Sequence, residues 1–139
     1  MKLLLLVPLV LATAGCISQK IIPVKPVAAE QVCIVKNFMV RSEFAEIYKA
    51  QLVRNGYSPT LVDSEELAAG CAMKSTFTAT WGFHWGQYLS TADILVFKGD
   101  EMIGRATYHA PFASPLKHGR IAPKIENLVD QLFPAVAKQ

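Results

Sequence analysis

The chain has 139 residues, 52% of them apolar, with 14 Lys+Arg against 11 Asp+Glu and three Cys. That length accommodates one domain rather than two, and a formal charge of +3 without three consecutive Lys or Arg anywhere excludes a dedicated nucleic-acid surface. The mean hydropathy of +0.28 is high for a water-soluble domain, but the excess sits at one end, so neither a polytopic membrane protein nor a disordered tail protein fits.

Residues 1–15 carry that excess. Met1-Lys2 is a short positive start, Leu3 to Leu11 an apolar run containing Pro8, and Ala12-Thr13-Ala14-Gly15 a stretch of small residues before Cys16. This is the three-part plan of a secretory signal peptide. The run is too short for a transmembrane helix, which needs about 20 apolar residues, and it lacks the polar face of a core helix. Cys16 placed directly after Ala14-Gly15 makes the segment resemble a bacterial lipoprotein signal, although Thr13 stands where the pattern usually has Leu. The resemblance implies cleavage before Cys16 and acylation of its thiol and freed amine. Ile17, rather than Asp, follows the cysteine; by the same resemblance this implies the outer membrane, with the domain facing the periplasm. A covalent lipid on Cys16 is then the only cofactor expected, and the bilayer the first partner.

Residues 16–30 read as the lipidated cysteine and a tether, because Pro23 and Pro26 forbid a regular helix. Fourteen residues, 17–30, reach at most ~45–50 Å. The apolar Ile21, Ile22, Val24 and Val27 leave open that the stretch lies along the domain or dips into headgroups.

The folded domain is expected over residues 31–134, with 135–139 as a frayed tail. Val32 to Val35 reads as the first strand. Ser42 offers an N-cap oxygen to a helix whose apolar positions are Phe44, Ile47, Tyr48 and Leu52. Asn55-Gly56 closes it, with Tyr57 folding back on Leu52. Ser58 to Val62 is a second strand, and Pro59 suits an edge. From Lys74 the period becomes two: Phe77, Ala79, Trp81, Phe83 and Trp85 alternate with Thr76, Thr78, Thr80, Gly82 and His84, a half-buried strand. Ala92–Phe97 and Met102–His109 are further strands joined by Lys98-Gly99-Asp100-Glu101, a hairpin signal that pairs Phe97 with Met102 and Val96 with Ile103. Residues 110–120 form a loop. Pro123 fits the start of a last helix with Ile125, Leu128, Val129 and Leu132 as its stripe. The fold class expected is α+β: β-α-β, a three-stranded antiparallel meander and a C-terminal helix, giving a two-layer sandwich with both helices on one sheet face.

With Cys16 modified, two cysteines remain, and the export signal places them in an oxidising compartment. A Cys33–Cys71 disulfide is expected. A redox pair is not, since no Cys-x-x-Cys motif is present.

No residue pattern announces catalysis or a metal site. There is no Gly-x-Ser-x-Gly, His-Glu-x-x-His or phosphate-cradling glycine loop, and His84, His109 and His118 lack helical ligand spacing. Asp93, set among apolar neighbours, suits a hydrogen-bonded or base-paired carboxylate. Lys117, His118 and Arg120 form the one basic cluster, a solvated loop or a contact for anionic headgroups. Trp81 and Phe83 read as core. Trp85 and Tyr88, near the strand end beside Gly82 and Gly86, are the candidate contact surface.

Cys33-Ile34-Val35-Lys36-Asn37, Val40-Arg41, Tyr48, Gly56-Tyr57, Cys71, Thr78-Ala79-Thr80-Trp81, Tyr88-Leu89, Ala106-Thr107-Tyr108 and Leu128 to Pro134 together resemble a small family of uncharacterised Gram-negative lipoproteins. The resemblance spans nearly the whole mature domain and implies a periplasm-facing lipoprotein without implying a task. The expected function is therefore a non-catalytic binding or adaptor module of the cell envelope with an unidentified protein partner. The alternative is a small-ligand receptor with a pocket near Trp81 and Asp93, and an enzyme comes third.

Overall fold

The computed structural model describes residues 16–137; the signal peptide read over residues 1–15 lies outside them, as do the last two residues of the tail. Among the described residues the chain forms β1 (Ser18–Ile22), β2 (Gln31–Val35), α1 (Ser42–Arg54), β3 (Ser58–Val62), β4 (Met73–Phe83), β5 (Gln87–Lys98), β6 (Glu101–His109) and α2 (Ile121–Leu132). The strands make one sheet in the order β1-β6-β5-β4-β2-β3. β2 runs parallel to β3 and β4, and the other pairs are antiparallel. The α+β two-layer architecture is the one expected.

Both helices cover one face. Val32 and Ile34 of β2, Phe77 of β4, and Ile94 and Val96 of β5 meet Phe44, Tyr48 and Leu52 of α1 and the stripe Ile125, Leu128, Val129 and Leu132 of α2. Burying each such side chain contributes ~1.5–3 kcal/mol. Phe44 stacks on Phe77 at 5.0 Å between ring centroids. The buried Tyr48 hydroxyl donates to Ser75 Oγ at 2.7 Å, and Ser75 donates to the Leu95 carbonyl at 2.9 Å. The opposite face is left to Thr76, Thr78, Thr80, Thr91, Asp93, Arg105 and Thr107, which suits water.

The cap details differ slightly from expectation. Arg41, not Ser42, is the residue before the first turn of α1, and no side chain caps it. At the other end the Tyr57 N–H bonds the Leu52 carbonyl at 3.0 Å, and Gly56 takes φ +93°, which its missing Cβ permits. Asn55 ties the two helices, donating to Asp130 Oδ1 at 3.0 Å and to the Phe133 carbonyl at 2.7 Å. α2 begins at Ile121 rather than Pro123. Proline is tolerated there because first-turn N–H groups have no intrahelical acceptor.

Cys33 and Cys71 are joined, with Cα atoms 6.0 Å apart. The bond fastens β2 to the segment leading into β4 on the face away from the helices.

One register expectation fails through a bulge, and the β4–β5 pair carries another bulge. Phe97 pairs with Met102 as foreseen, but Val96 pairs with Gly104, and Ile103 is the extra residue. In β5, Ser90 is skipped between the pairs Thr80–Thr91 and Trp81–Leu89. One added residue reverses the face of everything beyond it.

The larger correction concerns the tether. Residues 18–22 are strand β1, paired along the free edge of β6 from Ser18–His109 to Ile22–Arg105. The chain then turns inward: Val24 is buried and its N–H bonds the Leu132 carbonyl at 2.9 Å. Gly104 makes room for it, since a Cβ there would lie 2.6 Å from Val24 Cγ1. A backbone that can complete a sheet edge and bury valine gains more than it does as a solvated spacer.

Candidate functional site

The site is built at one end of the sheet. Thr80, Thr91, His109 and Ser18 share one rung across β4, β5, β6 and β1. β6 and β1 stop there, while the β4–β5 hairpin continues to Phe83 and Gln87. Its loop is His84-Trp85-Gly86, closed by the His84 N–H on the Gly86 carbonyl at 2.9 Å. Trp85 has φ +58°, an uncommon conformation for a bulky residue and a stored strain.

This overhang decides the exposure of the aromatics. Phe77 is buried and Trp81 packs partly against the core, with the Arg41 guanidinium 4.9 Å from its ring centroid. Arg41 also donates to Gln87 Oε1 at 2.7 Å. α1 begins at this level, and the hairpin continues past its start. Phe83 is 76% exposed and Trp85 91%. Phe83, expected in the core, is thus a surface residue. Tyr88, expected to share a surface with Trp85, is only 5% exposed. Its ring occupies the space a Gly82 side chain would fill, and the 110–120 loop folds over it.

That loop is held by cations. Lys117 is 1% exposed; its ammonium donates to the Phe112 carbonyl and sits 4.4 Å from the Phe112 ring centroid and 5.1 Å from that of Tyr88. Among the described residues no carboxylate pairs with it, so carbonyl and ring faces take that role. Lys124 of α2 donates to the Lys117 and His118 carbonyls, and burial lowers its pKa. His84 packs at 4.6 Å on Phe112 and 5.8 Å from His118. Desolvation, then the Lys117 and His118 charges, hold its imidazole below the usual range. The basic cluster read in the sequence therefore divides: Lys117 is internal, whereas His118 and Arg120 face solvent. Phe112 and Leu116 on the same loop are 63% and 65% exposed.

Cys16 belongs to this end. It is exposed and two residues from Ser18, a reach of about 7 Å. β1 and β4 are three strand spacings apart, roughly 14 Å. The cysteine and the hairpin tip therefore project past the same rung. Nothing in the sequence pattern around Cys16 signals this; it depends on β1 pairing with β6.

The other candidates do not converge. Asp93 accepts from Arg105 at 3.0 and 2.8 Å on the open face, the base pairing considered for it, whereas Trp81 lies on the helix face. The two line no common pocket. Among the described residues no group of three His, Cys, Asp or Glu is arranged to hold a metal. At the opposite end of the molecule a cleft of about 500 Å³ opens between the 23–30 segment and the β5–β6 hairpin, lined by Lys25, Val27, Glu30, Lys98, Glu101 and Met102.

No family model matches the chain, and no curated protein matches it. Among solved structures it is similar to PelC from Paraburkholderia phytofirmans, a dodecamer, in two crystal forms. The TM-scores are 0.58 and 0.59 at 12% and 10% identity, covering 90% and 85% of this chain and 99% and 96% of that one. A TolB structure from Acinetobacter baumannii gives a TM-score of 0.49 at 14% identity, over 84% of this chain and 31% of that one. At such identities the PelC likeness shows a shared fold and nothing more.

Proposed function

We propose that the chain is a lipid-anchored, non-catalytic adaptor of the bacterial cell envelope, held on the outer membrane through acylated Cys16 and facing the periplasm. The observation that carries the reading is the short leash. Only Ile17 separates Cys16 from β1, so an acylated Cys16 would hold the domain upright on its β1–β4 end. Three acyl chains, each CH₂ contributing ~0.8 kcal/mol, make such an anchor durable. The Cys33–Cys71 bond supports an oxidising compartment, and the resemblance to uncharacterised Gram-negative lipoproteins supports the same address.

In this orientation the cleft between Lys25 and Lys98 points away from the bilayer and is the surface offered to a partner. Its mixed charges and exposed Val27 and Met102 suit a protein contact. The test places a photo-crosslinking amino acid at Lys25, Lys98 or, as control, Thr78 in living cells. A discrete adduct at both cleft positions and not at Thr78 is expected; none at either removes the adaptor role. Because PelC is a dodecamer, the mass of the adduct is compared with a multiple of this chain, which separates self-assembly from a foreign partner. Mass spectrometry of the native polypeptide tests the anchor: it should begin at Cys16 and carry fatty acid there.

A further inference from the structure

We infer that the overhanging end of the sheet, with Phe83, Trp85, Phe112 and Leu116 at its tip, seats in the headgroup–acyl boundary of the membrane that holds Cys16. The inference rests on the reading of Cys16 as the anchor and adds a second, non-covalent contact.

Three observations converge on it. First, four large apolar side chains, each more than three-fifths exposed, come from two separate segments and gather at one end of the molecule. Exposed apolar groups scattered singly need no explanation, but a gathered set marks a contact. Second, that end is the one Cys16 leaves from. The rung Thr80–Thr91–His109–Ser18 puts the cysteine and the hairpin tip past the same end of the sheet, with the hairpin reaching farther, and a two-residue leash cannot hold the tip far from the lipid. A surface forced against a bilayer at such range meets lipid before it meets any soluble partner. Third, the side chains are of the kind that membrane boundaries take. Trp is favoured at headgroup depth, with phenylalanine and leucine below it, and the exposed His118 and Arg120 stand where lipid phosphates would lie.

The tip is also pre-formed. Trp85 is held at positive φ by a closed three-residue loop, and the buried Lys117 fastens the neighbouring segment to Phe112 and Tyr88. Little ordering remains to be done on contact, which favours binding.

The chain has two tryptophans, and they report separately. Acylated full-length protein is reconstituted in phosphatidylethanolamine–phosphatidylglycerol vesicles, with and without bromine on the acyl chains. Wild type is compared with Trp85→Phe, a substitution at a 91% exposed site, and with Trp81→Phe. The expected result is that brominated lipid extinguishes the emission that Trp85→Phe removes, that this emission is blue-shifted, and that Trp81 stays bright. If the protein floats with the vesicles and carries lipid on Cys16 while Trp85 emission is red and unquenched, the inference is overturned and the anchor stands. Blue-shifted emission that bromine leaves intact means that protein, a partner or a second copy, covers the tip, and the lipid assignment is overturned. Cys16 found without fatty acid overturns the anchor reading and this inference with it.

Discussion

Replacing both Cys33 and Cys71 by Ala removes a cross-link that closes 38 residues of chain, including α1 and β3. The entropy that such a loop withholds from the unfolded ensemble corresponds to about 4 kcal/mol at 25 °C. Cys33 is buried, so loss of its sulfur adds a small packing penalty in the same direction. For a domain whose net stability is typically ~5–15 kcal/mol, the doubly substituted protein should remain folded but stand close to its limit. The expected fall in melting temperature is roughly 15 °C for a domain of this size. Urea titration followed by tryptophan emission measures the lost free energy, and a thermal melt the fall in melting temperature, comparing wild type, the double substitution and wild type under reductant. Reduced wild type should lose nearly as much as the double substitution, falling short only by the packing penalty. A difference below about 1 kcal/mol would refute the loop-closure argument, because the unfolded chain would then already be as restricted without the bond as with it. Two thiols titrating in denatured wild type would remove the premise.

Three further outcomes follow from the same geometry. Trp85→Gly relieves a φ of +58° and should raise unfolding stability by about 1 kcal/mol while abolishing the lipid-quenched emission; a stability loss would show that Trp85 is structural. Gly104→Val drives a side chain into Val24 and Leu132 and should cost ~1–3 kcal/mol, with amide exchange accelerated at Ser18–Ile22; unchanged exchange there would mean that β1 does not depend on this crossing. His84 has its folded-state pKa lowered, so the unfolded chain binds its proton more readily. Stability from this group is therefore complete above the ordinary imidazole pKa near 6.5 and declines as pH falls through it. His84→Gln should flatten the pH dependence of unfolding on the acid side of the ordinary imidazole range, and an unaltered slope would assign that dependence elsewhere.

Much of the fold was legible because it is written locally. The helical spacing of Phe44, Tyr48 and Leu52, the stripe from Ile125 to Leu132, the Gly99 turn and the period-two run through Phe77 each express a geometry within a dozen residues, and all recur in the structure. The disulfide was legible for another reason: once Cys16 is read as modified, two cysteines remain and leave one pairing. Trp85 was legible as a surface aromatic.

What only the tertiary structure decided depends on partners far along the chain. Ser18–Ile22 carries two prolines soon after it and reads as a spacer; it is a strand because β6, about 85 residues later, presents an unpaired edge of N–H and carbonyl groups. Alternation along β4 distinguishes two faces but contains no measure of how far the helical layer extends, so it placed Phe83 inside when α1 stops short of it. The extra residue Ser90 sends Tyr88 to the face opposite Ala92 and Ile94, and Gly82 and the 110–120 loop then enclose it. Local chemistry determines which elements form and which side chains are apolar. Whether an apolar side chain meets protein or water is determined by where the neighbouring layer ends, and that is a property of the assembled sheet.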